Sequence, residues 1–158
     1  MPNKAVTRQT NPYLVNATKL TINISLHLAS MCKILIVDDF VDDCLFLQTV
    51  LEIEDYTVAL VGNGWAAIDM IQELRPNVVL LDILLPDMIG YSIVERIRQN
   101  PNTCEIRIVL TTASSILNES EAMASGADAF IRKPLDPDYV LEIVKKLCDE
   151  KKDRQKTT

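Results

Sequence analysis

The sequence predicts an α/β protein built on one parallel sheet. Three observations carry that prediction. Short apolar runs such as Ile34–Val37 and Val78–Leu81 show no polar alternation, the habit of strands buried on both faces. These runs alternate with stretches of helical apolar spacing, bounded by caps and breakers. Successive strands end in polar residues: Asp38-Asp39, Asp82, Thr111 and Lys133. Ends of parallel strands lie on one rim of a sheet, where ligands of open α/β folds bind.

The elements follow in order. Lys33–Val37 reads as the first strand, and Val41–Ile53 as the first helix. In that helix Cys44, Leu47, Val50 and Leu51 share a face, and Asp42 and Asp43 fall in the first turn, where the helix dipole favours negative charge. Thr57–Val61 is the second strand. Asn63-Gly64 turns into a helix over about Trp65–Leu74, with Ala67, Ile71 and Leu74 on one side. Pro76 forces an extended entry into the central strand, which Asp82 closes. After the loop holding Pro86 and Gly90, a third helix covers about Tyr91–Gln99. Ile106–Leu110 is the fourth strand. Asn118 caps a short fourth helix, with Glu121 completing a capping box and Gly126 stopping it. Ala129–Arg132 is the fifth strand, and Asp136-Pro137 opens the last helix, with Val140, Val144 and Leu147 inward. Strand–helix alternation implies right-handed crossovers.

Length and composition bound the rest. The 158 residues suit one domain, and 48% hydrophobic content supports a core. A net charge of −6 argues against a nucleic-acid surface. No run approaches the roughly 18 apolar residues of a membrane span. Cys32, Cys44, Cys104 and Cys148 are scattered without a C-x-x-C pair, so reduced thiols in a cytoplasmic protein are expected. Residues 1–31 differ: residues 1–30 carry Lys4, Arg8 and Lys19 and no acid. Leu20 to Leu28 alternates apolar and polar, as a half-buried strand or an aggregation-prone segment does, and Asn23, Ser25 and His27 interrupt any signal-peptide core. The expectation is a disordered or loosely docked extension over 1–31, with Met31 a candidate true start. An ordered domain then covers 32–150, and a frayed basic tail 151–158.

With strand order 2-1-3-4-5, strands one and three are neighbours, and Asp38, Asp39 and Asp82 converge. Three carboxylates repel one another unless a cation neutralises them. Oxygen ligands shared with water and phosphate suit Mg²⁺. Lys133 adds a point charge and Thr111 a hydroxyl. Carboxylate nucleophile, metal, ammonium and hydroxyl are the parts needed to receive a phosphoryl group.

With these motifs together, the chain from about Cys32 to Glu150 resembles the response-regulator receiver domains of two-component signalling, such as the single-domain chemotaxis regulators. The matching residues are Asp38-Asp39, Asp82-x-x-x-Pro86, Thr111 and Phe130-x-x-Lys133-Pro134. The resemblance implies a flavodoxin-like, five-stranded sheet with five helices. It implies Asp82 as phosphoacceptor, Asp39 as direct Mg²⁺ ligand, Asp38 as ligand through water, and the Leu84 backbone carbonyl as a further ligand. Thr111 and Phe130 resemble the switch pair and Lys133 the phosphate-pairing lysine. Thr112 is the rival hydroxyl; Thr111 is preferred because the family places a small residue after the hydroxyl. Leu84, two positions beyond the acceptor, is apolar and bears on phosphoryl lifetime. The expected protein is a stand-alone regulator, not an enzyme in its own right. It takes phosphate from a histidine kinase or phosphotransfer protein and contacts a target through the helix-four, strand-five, helix-five face, with no nucleic-acid or membrane partner.

Rival readings fit less well. A phosphohydrolase with an Asp nucleophile needs a second acid/base group, and Asp82-x-Leu84 offers none. A flavin module would cradle phosphate in the loop after strand one, where Asp38-Asp39 repels it. A degenerate receiver serving only as an interaction module would lack some site residues, and here all are present. All strands and site residues follow Met31. A chain beginning at Met31 is therefore expected to fold and bind Mg²⁺ as the full chain does; a melting midpoint lower by many degrees would place Leu20–Leu28 in the fold.

Overall fold

The structure is a computed structural model that describes residues 32–156. The extension, its alternating segment Leu20–Leu28 and the status of Met31 lie outside the described residues. Among these, the order is β1 (Lys33–Val37), α1 (Val41–Ile53), β2 (Thr57–Val61), α2 (Gly64–Leu74), β3 (Val78–Asp82), α3 (Gly90–Gln99), β4 (Arg107–Thr112), α4 (Glu119–Ala124), β5 (Ala129–Arg132) and α5 (Pro137–Lys156). All strand pairs are parallel, in the order β2-β1-β3-β4-β5. This is the parallel sheet that the strand–helix alternation predicts, in the flavodoxin-like form that the resemblance implies.

The side-chain period of two divides each strand between two cores. Leu35, Val37, Val79, Leu81, Ile108 and Leu110 face α2, α3 and α4. Ile34, Ile36, Val78, Leu80, Val109 and Ile131 face α1 and α5, against Leu47, Leu51, Val140 and Val144. Every residue of β3 is buried, which is why its run shows no polar alternation. Each fully buried Leu or Ile contributes about 1.5–3 kcal/mol, so register is strongly specified; a slip by one residue would exchange the two cores.

The helix ends follow their capping chemistry. Asn63 Oδ1 accepts from Ala66 N–H at 2.9 Å, Asn118 Oδ1 from Glu121 N–H at 3.0 Å, and Asp136 Oδ1 from Tyr139 N–H at 2.9 Å. Gly126 takes φ +103° just past α4, a conformation natural to glycine.

Three expectations need revision. β4 continues through Thr112: Ile83 N–H donates to the Thr111 carbonyl at 2.9 Å and Lys133 N–H to that of Thr112 at 2.9 Å. α5 stays helical to Lys156, past the expected fraying point, because residues 149–156 contain neither Gly nor Pro and are rich in helix formers. The thiols are not all reduced. Cys32 and Cys148 form a disulfide with Cα atoms 6.1 Å apart, while Cys44 and Cys104 are free. The fold brings the start of β1 against the late turns of α5, a proximity that spacing along the chain does not reveal.

Gly90 starts α3 where the chain passes the end of β3. A Cβ there would meet the Asp82 carbonyl oxygen at 2.8 Å and Ile83 Cα at 2.9 Å, both backbone. At Gly62 the nearest atom would be the Asp38 carbonyl oxygen at 3.8 Å, ordinary contact. Gly90→Ala should cost about 1–3 kcal/mol by overpacking and lower the melting midpoint by roughly 5–15 °C. Gly62→Ala should leave it nearly unchanged. Equal midpoints for the two variants would contradict this packing.

Candidate functional site

The alternation that builds the core on the α1 and α5 side also builds the site. Ile34 and Ile36 lead to Asp38, Val78 and Leu80 to Asp82, Val109 to Thr111, and Ile131 to Lys133. These four polar residues share one face at the carboxyl ends of neighbouring strands. Asp82 is in register with Thr111, and Thr111 with Ile131. Asp38, Asp82 and Thr111 are buried.

The Lys133 ammonium lies at the centre. Its Nζ donates to Asp38 Oδ2 at 2.6 Å and Asp82 Oδ2 at 2.9 Å, and pairs with Asp43 Oδ2 at 2.9 Å. The other oxygens are also bound: Asp38 Oδ1 accepts from Phe40 N–H and Asp82 Oδ1 from Leu84 N–H, both at 2.9 Å. Burial pushes the Asp38 carboxyl above its ordinary range, against the opposing pull of Lys133 and Phe40 N–H. Burial works to lower the Lys133 value. Hydrogen bonds to Asp38, Asp82 and Asp43 outweigh it and hold the ammonium above its ordinary value. The Cys44 thiol donates to the Asp38 carbonyl at 3.3 Å. Burial first, and the Asp38 charge second, push its pKa up to about 11, so it is no nucleophile at neutral pH.

Asp39 is exposed, and its side chain makes no hydrogen bond or ion pair with another described residue. Among the described residues, no three His, Cys, Asp or Glu side chains already form a metal cage. The donor set nevertheless fits a hydrated divalent ion. Three carboxylates (Asp38, Asp43 and Asp82) pair with one ammonium, and the neighbouring Asp39 is uncommitted. Mg²⁺ takes one or two carboxylates and keeps several waters, so it needs no all-protein cage. The turn beyond Asp82 closes through Gly90 N–H to the Ile83 carbonyl at 2.7 Å, which leaves the Leu84 carbonyl outside that bond.

The two threonines separate clearly. Thr112 falls on the opposite side of β4, fully buried, and its Oγ1 accepts from Ser114 N–H at 3.1 Å. Thr111 faces the carboxylates. Phe130 lies on the α4 side of β5, partly buried against that core. Thr111 and Phe130 are therefore on opposite faces of the sheet.

Two residues went unseen in the sequence. Asp43 was assigned to the helix dipole, yet it lies four residues before Leu47 on the inward stripe of α1, and that spacing aims it at the rim. Asp87 accepts from Gly64 N–H at 2.8 Å and Trp65 N–H at 3.0 Å, tying the loop after β3 to the start of α2. The Gly64 bond, chiefly, holds its carboxyl below the usual range. Its stabilising contribution is thus present above the unfolded value near 3.8 and fades as pH falls through the lower folded value. Asp87→Asn should lower the melting midpoint at pH 7 by a few degrees and bring it closer to the parent's at pH 3; an offset independent of pH would contradict the assignment.

Known proteins share this sequence pattern and fold. The family described as response regulator receiver domain matches residues 34–145. Response regulator PleD of Caulobacter vibrioides is 32% identical over 105 residues, covering 66% of this chain and 23% of that protein. A CheY-like receiver domain protein from Methanospirillum hungatei JF-1 superposes with TM-score 0.72 at 30% identity, covering 78% of this chain and 98% of that one. The receiver domain of sensor histidine kinase PA1611 from Pseudomonas aeruginosa PAO1 has TM-score 0.69 at 25% identity, with 75% and 98% covered; it was solved with a magnesium ion coordinated in the active site cleft. The chain spans less than half the length of the curated relatives it matches. Among the described residues no helix is long and apolar enough to cross a membrane. By sequence and by fold, this chain belongs to the response regulator receiver domain family.

Proposed function

We propose that Asp82 accepts a phosphoryl group from a phosphohistidine on a histidine kinase or phosphotransfer protein, and that the domain then signals through protein contacts. The observation that carries this reading is the arrangement around Asp82: a buried carboxylate at the end of the central strand, bonded to the Lys133 ammonium and beside Asp38. In the reaction, a bond forms between an Asp82 oxygen and phosphorus as the bond from phosphorus to imidazole nitrogen breaks. The imidazole keeps the electron pair and takes a proton.

Lys133 is already against the attacking carboxylate. As charge moves onto the phosphoryl oxygens, the ammonium follows it with little reorganisation, which is the economical form of electrostatic catalysis. Asp39, Asp38, Asp82 and the Leu84 carbonyl, the residues that the family resemblance implies, would hold Mg²⁺; the Pseudomonas receiver has magnesium in its active site cleft. When bound, the ion would supply further neutralisation of phosphoryl charge. Thr111, facing the same space, donates its hydroxyl to the new phosphoryl group, and Phe130 responds on the far side of the sheet. The rearranged face of α4, β5 and α5 is the proposed contact for a target protein. The switch needs only a few kcal/mol of bias between two arrangements.

Two experiments test this reading. Intact mass after incubation with phosphoramidate should show one phosphoryl group taken up in the presence of Mg²⁺, little without it, and none in Asp82→Asn. Acid-stable phosphate on the Asn variant would place the label on a hydroxyl residue and end the proposal. In calorimetric titration with Mg²⁺, Asp39→Ala should abolish binding. Asp38→Ala should weaken it less, because both Asp38 oxygens already have partners. Binding equal to the parent's in both variants would remove the metal from the site.

A further inference from the structure

The side chain of Arg132 joins two parts of the molecule that the function above leaves unconnected, the β4–α4 segment and the Phe130 ring. Arg132 ends β5, in register with Thr112. Its guanidinium donates through Nη1 to the Ser114 carbonyl and through Nη2 to the Leu117 carbonyl at 2.6 Å. Both acceptors belong to the segment that links β4 to α4. The same guanidinium stands over the Phe130 ring, 5.5 Å from its centroid. Arg132 and Phe130 share one side of β5, the α4 side. Thr111 faces the other side.

Thr111 and Phe130 thus point to opposite faces of the sheet. A chain of bonds connects them around the strand end: Thr111 adjoins Thr112, whose hydroxyl holds Ser114 N–H, and the Ser114 carbonyl is held by Arg132. The fork geometry of a guanidinium allows it to bind two carbonyls at once while its flat face covers a ring, which no lysine can do. With Asp82 unmodified and bonded to Lys133, all of these contacts are closed.

The geometry points to Arg132 as a positioning residue that holds the β4–α4 segment and the Phe130 ring in the unphosphorylated arrangement. This inference rests on the reading of Asp82 as the phosphoacceptor. For Thr111 to move towards a phosphoryl group, the two carbonyls must leave the guanidinium. For the ring to turn inward, it must leave the same group. Arg132 thus opposes the switched arrangement and links its two halves, so that loop and ring change together.

The test uses the full chain with Mg²⁺, and beryllium fluoride as the phosphoryl probe, read by amide signals of residues 111–117 and 130. Failure of these signals to respond in the parent would overturn the phosphoacceptor reading itself. Where the parent responds, Arg132→Ala should shift the same signals, before any probe is added, along the line towards their probe-bound positions. Half-saturation by the probe should fall about three- to tenfold, the amount by which a weakened resting state raises apparent affinity. Arg132→Lys, with a single ammonium unable to hold both carbonyls, should fall between. A merely structural role would move the signals off that line. Resting signals unmoved with unchanged half-saturation in Arg132→Ala, or a weaker response to the probe, would overturn the inference while leaving Asp82 as acceptor.

Discussion

Lys133 Nζ sits within 2.9 Å of three carboxylates, two of them buried. The upper rim of the sheet depends on that contact. Asp38 and Asp82 end adjacent strands on the same face, so the fold itself forces two negative charges together out of water. Removing the ammonium from such a group would leave them uncompensated, at a cost of about 3–5 kcal/mol. Replacing a carboxylate is a different matter, because the ammonium retains two others. The site is therefore asymmetric: tolerant of losing one anion and intolerant of losing its cation. A receiver of phosphate needs this. The acceptor must be anionic and close to positive charge, yet that charge must be free to pass to the arriving phosphoryl group.

The rest of the structure places the rim. Strand periodicity sends Asp38, Asp82, Thr111 and Lys133 to one side and Thr112, Phe130 and Arg132 to the other. The proposed chemistry thus falls on the α1 and α5 side, while the ring and its arginine lie on the α4 side. On the proposed reading, a phosphorylation event on one face is relayed around the end of β4 through the short segment between Thr112 and Asn118, whose hydrogen bonds set how readily it moves.

Much of this was legible in the sequence because it depends on local chemistry. Asn118 and Asp136 cap helices as their side-chain oxygens predict, and the fully apolar Val78–Leu81 is the central strand that its lack of polar alternation suggests. That Asp38, Asp82 and Lys133 meet was legible because strand ends converge in any parallel sheet. Where tertiary contact decides, the sequence was silent. Cys32 and Cys148 are separated by 116 residues, and only the packing of α5 on β1 brings them together. Asp43 and Asp87 look like ordinary helix-start and loop acids until the elements around them are in place. The preference for Thr111 over Thr112 rested on the family resemblance in sequence; the structure adds that only Thr111 shares a face with Asp82.

The central claim is that a charged lysine held between three carboxylates organises this rim. Proton-detected ¹⁵N spectra of the Lys133 ammonium, assigned by its loss in Lys133→Met, test it most directly. The account predicts a slowly exchanging ammonium signal that persists above the pH at which the surface lysines titrate, and that shifts when Mg²⁺ is added. A Lys133 signal that titrates with or below the surface lysines, or that ignores Mg²⁺, would contradict it.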